Sequence, residues 1–212
     1  VMRERARDLV RNNPHAAKGL AVIVSNKIGT GILCGPDPSQ MVRPNQRLLK
    51  TITDLWTRWI DTCDLTGRLD LYGIQSLAER TRAEAGEALI RFVNVPARKK
   101  GDFPLRLQVL EPDMLDSAQH RALDDGSVIL RGIEYVRGVP VAYWLFDVHP
   151  GDDGIAGRRS SLTSSRVLAS EVLHYYKPLR AGQRRGITDF APVILRLRAL
   201  DDYDDAEVMR KK

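Results

Sequence analysis

The acidic run LDDYDDAE (200–207) places Asp201, Asp202 and Asp205 in the spacing D-D-x-x-D. On a helix, carboxylates four residues apart share a face and can bridge Mg2+ around a diphosphate. Prenyl-transfer enzymes that use this pattern are all-helical and carry a second acidic motif inside a deep apolar cavity. This sequence offers neither. The run therefore reads as a solvated or inter-subunit face, balanced by Arg210, Lys211 and Lys212.

Other candidates for chemistry fail on context. AVIVSNKIGTGILCG (21–35) has glycines at 29, 31 and 35, but PDPSQ follows where a dinucleotide site needs a helix N-terminus for the pyrophosphate. G-x-x-x-x-G-K-[ST] does not occur, so the sequence supplies no P-loop. His15, His120, His149 and His174 share no spacing. His174, in an expected strand beside Tyr175 and Tyr176, reads as packed and hydrogen-bonded rather than catalytic. Ser160, Ser161, Ser164 and Ser165 sit in a polar stretch without the strand–turn–helix context of a nucleophile. Glu87 is a single carboxylate at a strand start, with no partner that the sequence suggests. No catalytic, cofactor-binding or metal-binding residue is assigned, and no cofactor is expected.

The stretch RAGQRRGITDFAP (180–192) stands apart, with Arg180, Arg184, Arg185, two glycines and a proline ahead of an expected helix. Three roles compete: a phosphate cradle, a nucleic-acid contact, or a joint between two parts of a larger assembly.

The elements that must position these residues change period along the chain. Residues 3–26 read as helical, broken at Asn12, Asn13 and Pro14 and resumed over 15–26, with a stop at Gly29–Gly31. Between Met41 and Leu65, Ile52, Leu55, Trp56, Trp59, Ile60 and Cys63 make an amphipathic stripe. A third helix is predicted over about 70–85. After Gly86 the pattern turns to short strands: 87–95, 104–112, 127–136, 139–148 and 171–179, with Arg137–Gly138 as a tight hairpin turn and 151–165 as a polar loop. From Thr188 the pattern is helical again, with Asp189 as N-cap and Pro192 in the first turn. The expected fold class is α+β: N-terminal helices, a mixed or antiparallel sheet of about five strands, and a C-terminal helix leading out of the domain.

Composition bounds the partners. The net charge of +6, from 33 basic and 27 acidic residues, permits a non-specific nucleic-acid contact without demanding one. No apolar run of membrane-spanning length occurs, so no membrane partner is expected. Cys34 and Cys63 fit no zinc or disulfide spacing, which suits a reducing cytoplasm. The sequence opens on Val1 and ends in charged residues, and the expectation is a piece of a longer chain.

Several motifs fall in a characteristic order: RNNP (11–14), GTGI (29–32), the W-x-x-W of residues 56–59 and GEALI (86–90). GIEYVRGVPVAYWLF (132–146), HP (149–150), VLHYY (172–176), RAGQRRGITDFAPVILRL (180–197) and LDDYDDAE (200–207) continue it. Together they resemble the lambda-type bacteriophage portal proteins, essentially from Arg3 to Lys212. The resemblance implies a structural subunit and no enzyme. It implies a homo-oligomeric ring, typically dodecameric, at a unique capsid vertex of the virion, assembled in the bacterial host cytoplasm. Double-stranded DNA would pass non-specifically through the channel during packaging and ejection, and terminase, capsid and head-completion proteins would be the partners. By analogy of layout, residues 1–187 correspond to a wing-like α+β domain and 188–212 to the start of a stem-like helix.

On that resemblance the arginine stretch favours a joint. Gly182 and Gly186 would allow backbone turns. Arg180, Arg184 and Arg185 would donate to carboxylates within the joint or on a neighbouring subunit, and Asp201, Asp202, Asp204 and Asp205 are candidate partners across a ring interface. The alternatives are a Mg-dependent diphosphate-handling enzyme built on DDYDD and a basic nucleic-acid-binding module.

Overall fold

A computed structural model of the chain describes residues 2–35, 37, 39, 45–96, 102–124, 126–151 and 163–211. Among them, four helices come first: α1 (Met2–Asn12), α2 (Pro14–Lys27), α3 (Gln46–Ile60) and α4 (Leu71–Ala85). Eight strands follow: β1 (Glu87–Asn94), β2 (Leu105–Leu110), β3 (Arg121–Ala122), β4 (Val128–Leu130), β5 (Ile133–Val136), β6 (Val139–Phe146), β7 (Ser164–Leu168) and β8 (Val172–Tyr176). Helix α5 (Ile194–Arg210) closes the order, so the class is α+β. No helix among the described residues is long and apolar enough to cross a membrane.

The strands form two antiparallel sheets rather than one sheet of about five: β2-β1-β8, and β3-β4-β5-β6-β7. Two local features, beside the short unexpected strand β3, add to the number of strands. The segment 127–136, expected as one strand, folds back on itself at Arg131–Gly132, where φ is +51° and +85°. Arg137–Gly138 makes the expected hairpin turn in the same way, with φ of +51° and +83°. In addition, Ser164 and Ser165 open strand β7 instead of ending a polar loop, because Val167 is buried between the sheets. Ser160, Ser161 and most of the expected 151–165 loop lie outside the described residues.

The helices start and stop where local chemistry dictates. Asn13 ends α1 and caps α2, its side chain accepting from the Ala16 amide at 2.8 Å, with Pro14 in the first turn. Asp70 caps α4 through the Gly73 amide at 2.7 Å. Gly86 ends α4 in the left-handed region, φ +95°, and sends the chain into β1.

One core lies between the two sheets, around Leu89, Leu110, Ile133, Tyr143, Leu145 and Val172. A second joins α1, α2, α4 and the approach to α5 through Ala6, Leu9, Leu20, Ala83 and Phe190, with Ile194 and Leu197 against it. A third holds the Trp56–Trp59 face of α3, with Ile60, Cys63, Ile74 and Leu107.

The C-terminal helix differs from expectation at its start. Residues 188–193 form turns, and α5 begins at Ile194 after Val193, which supplies no side-chain cap. Asp189 does not cap this helix, because its carboxylate is held elsewhere.

Candidate functional site

The strongest concentration of charge lies where residues 185–190 cross the junction of α4 and β1. Glu87, first residue of β1, has its side chain 1% exposed. Its carboxylate accepts from Arg3 Nη2 at 2.9 Å, from Arg185 Nε at 2.8 and 3.0 Å and Nη2 at 2.5 Å, and from the Gly186 amide at 2.8 Å. His174 Nε2, from β8, lies 3.0 Å away, and since a carboxylate only accepts, that nitrogen carries the proton. Burial alone would raise this carboxyl. The hydrogen bonds from His174 and Arg185, the Arg185 charge and the Gly186 amide overcome it and hold the group down at about 2.

A second buried pair adjoins it. Glu79 accepts from Lys27 Nζ at 2.8 Å, from Arg82 at 2.8 and 2.9 Å and from the Tyr175 hydroxyl at 2.7 Å. Burial opposes its ionisation, and these donors still lower it to about 2. Arg82 extends to the Asp189 carboxylate at 2.6 and 3.2 Å. Burial works against that guanidinium too, yet its bonds to Glu79 and Asp189 raise it above the ordinary arginine value.

The backbone completes the attachment. The Thr188 hydroxyl and the Asp189 amide both donate to the Ala83 carbonyl, at 3.1 and 3.0 Å, satisfying an acceptor at the end of α4. Gly186 has an ordinary φ; its requirement is close approach, since a Cβ there would lie 1.9 Å from the Gly86 carbonyl oxygen. Gly182, by contrast, sits at φ +69°. Further on, Asn13 Nδ2 donates to the Leu197 carbonyl at 3.3 Å, tying the first turn of α5 to the α1–α2 corner.

A third cluster, Glu111, Asp113 and His149, has cation-ligand geometry. The space between its carboxylates is taken by Arg7, whose Nη2 donates to both Glu111 and Asp113. The Gly151 amide donates to His149 Nδ1 at 3.0 Å, so Nε2 carries the proton rather than a free lone pair. The cation built into this site is an arginine.

The residues singled out from the sequence are distributed as follows. Arg185 pairs within the chain, with Glu87. Arg184 lies over the Tyr135 ring, 4.6 Å from its centroid, and is exposed. Arg180 is exposed in a turn whose amides at Leu179 and Arg180 donate to Gln183 Oε1. Asp202, Asp204 and Asp205 are exposed on α5 and Asp201 is half-buried there. Among the described residues these carboxylates meet none of the three arginines; Asp204 comes within 3.8 Å of His15.

Sequence reasoning noted Glu87 without its partners and missed Glu79, Arg82 and the pairing role of Asp189. One signal was available: Arg82 lies four residues after Ala78 and eight after Ile74, a core-facing position occupied by a charge. Glu87 gave no such signal, since its side-chain donors lie 84, 87 and 98 residues away.

Comparison with known proteins bears on what this arrangement serves. The sequence model described as "Phage portal protein, lambda family" matches residues 1–212. A relative described as "Probable portal protein", from Halomonas phage phiHAP-1, is 28% identical over 218 residues, covering 99% of this chain. The chain spans 40% of that relative's length.

Proposed function

From the premise that the chain belongs to the lambda family of phage portal proteins, structural components of the capsid, we propose that it builds a portal ring. In that ring, residues 1–187 form the outer α+β body and the chain from 188 leads through α5 toward the central channel. DNA passes through the channel without sequence-specific contact. Terminase docks on the full-length ring first and head-completion proteins follow.

The observation that carries this reading is the rooting of α5. Phe190, Ile194 and Leu197 pack on the α1–α2–α4 core, and Asp189, Thr188 and Gly186 are bonded to α4 and β1. Beyond that root α5 has no buried residue, and Leu195, Tyr203 and Met209 are 75, 61 and 72% exposed. A helix anchored at one end and uncovered along its length is what a chain presents when neighbouring subunits, or further chain of a longer protein, complete its packing.

The experiment is the native mass of the full-length chain by light scattering after size exclusion, with negative-stain images of the same peak. A ring of about a dozen subunits around a hole is the expected result. A compact monomer or dimer at high concentration refutes the proposal.

A further inference from the structure

A cavity of about 540 Å3 lies between the two sheets, beneath the turn that carries Gly182, Gln183 and Arg184. Tyr135, Pro140 and Tyr143 line it from β5 and β6, and His174 and Tyr176 from β8. Some of its polar groups are committed: the Tyr176 hydroxyl donates to the Gln183 carbonyl at 2.9 Å, and His174 pairs with Glu87. Others are not. Tyr135 and Tyr143 are only 5 and 3% exposed as residues, and among the described residues neither hydroxyl has a hydrogen-bond partner, while neither oxygen is sealed from solvent. Burial raises both phenols, Tyr143 to about 12, so both remain protonated donors near neutral pH. Arg184 lies over the Tyr135 ring at the cavity mouth, and no carboxylate of the described residues reaches it. Two buried phenols and a guanidinium without an acid make a site for a carboxylate.

We propose that this cavity receives acidic side chains of helix α5, Asp202 and Asp205 foremost, from a second copy of the chain. Asp202 and Asp205 lie three residues apart on one helical side and are exposed, and no cation of their own chain reaches them among the described residues. Helix α5 packs against α1, whereas the cavity is framed by β5, β6 and β8, so donor and acceptor are different surfaces of one molecule. Such a contact runs head to tail and closes into a ring when the rotation permits. Arg180, exposed beside the same turn, adds positive charge at the rim. The proposal rests on the ring reading above and names the surfaces that would meet.

The test is a charge swap in the full-length chain, read as the concentration for half-assembly by light scattering. Arg184→Glu alone, and Asp202→Arg with Asp205→Arg, are each expected to raise that concentration at least tenfold. The combination is expected to return within about threefold of the parent. Single reversals that assemble like the parent overturn the proposal, as does a combination no better than either parent variant. A second readout separates this idea from the ring itself. In a Cys34→Ser background, Ala181→Cys with Ala206→Cys places thiols beside the two surfaces and keeps every charge. Oxidation is expected to link copies into a ladder. Rings that form without such links overturn the proposal and leave the ring reading standing; links without rings do the reverse. Binding of a short DNA duplex by the parent chain, lost in Arg184→Glu, reassigns the cavity to phosphate and also overturns it.

Discussion

Glu87→Gln removes one charge and leaves the side-chain shape, so its effect measures what the carboxylate does at the α4–β1 junction. Holding the folded group near 2 when its ordinary value is 4.5 corresponds to about 3 kcal/mol, at about 1.4 kcal/mol per pH unit. An independent route agrees, since removing one partner of a buried ion pair costs about 3–5 kcal/mol. The lower end applies here, because Arg3 and Arg185 remain 25 and 21% exposed and water can partly solvate them. The folded carboxyl lies below the unfolded one, so its contribution is complete above about 4.5 and is lost as pH falls toward 2. Urea unfolding of this chain, parent and variant side by side, supplies the assay. At pH 7 a loss of about 3 kcal/mol lowers the midpoint by roughly 1–2 M, for a slope of about 2 kcal/mol/M. The gap between the two proteins should then close between pH 4.5 and 2.5. A gap below about 1 kcal/mol at pH 7, or one that stays constant down to pH 2.5, refutes the reasoning.

Gly186→Ala should cost well over 2 kcal/mol in thermal unfolding, because its Cβ would meet the Gly86 carbonyl oxygen at 1.9 Å. Gly182→Ala, strained only by its φ of +69°, should cost about 1 kcal/mol; equal losses would deny the close approach. Asp189→Ala leaves Arg82 on Glu79 and cuts the link to the approach of α5. Its stability cost should be about 1–2 kcal/mol, and hydrogen exchange should speed up at residues 186–197 more than in β5 or β6. Iodoacetamide should label exposed Cys34 and spare Cys63, which is fully buried with its thiol pushed up to about 11, until denaturant is added.

The α+β class was legible because its signals are local. Asn13–Pro14, Asp70 and Gly86 set helix ends by capping, and the strand segments are short and bounded by turn residues. The same dipeptide shows where legibility stops. Arg131–Gly132 and Arg137–Gly138 adopt nearly identical turns, yet the first sits inside SVILRGIEYV, whose apolar flanks read as one strand. Strand β7 was hidden because SSRVL has a single buried position. The charged junction was illegible for a different reason. A carboxylate at a strand start looks identical whether it faces water or three donor side chains from distant segments, and only the fold brings Arg3, His174 and Arg185 to Glu87.

Ion pairs beside the apolar packing of Phe190, Ile194 and Leu197 have a mechanical consequence. Apolar side chains can slide over one another at little cost, since the hydrophobic effect has no direction. An arginine forked onto a carboxylate does not slide, because its donors are planar and fixed. Two such pairs, Arg185–Glu87 and Arg82–Asp189, grip the approach to α5 at points four residues apart in sequence, and Gly186 against Gly86 removes the remaining play. The reach of the helix magnifies any error at its root: 17 residues at about 1.5 Å each span about 25 Å, so a 10° tilt moves the far end by about 4 Å. In a ring the same error recurs at each subunit, and a displacement of that size would separate the Asp202–Asp205 side from the Arg184 cavity it is proposed to enter. Each buried charge carries a desolvation penalty that apolar packing would avoid. What the ions contribute in return is a fixed angle, set within each chain before any neighbour arrives.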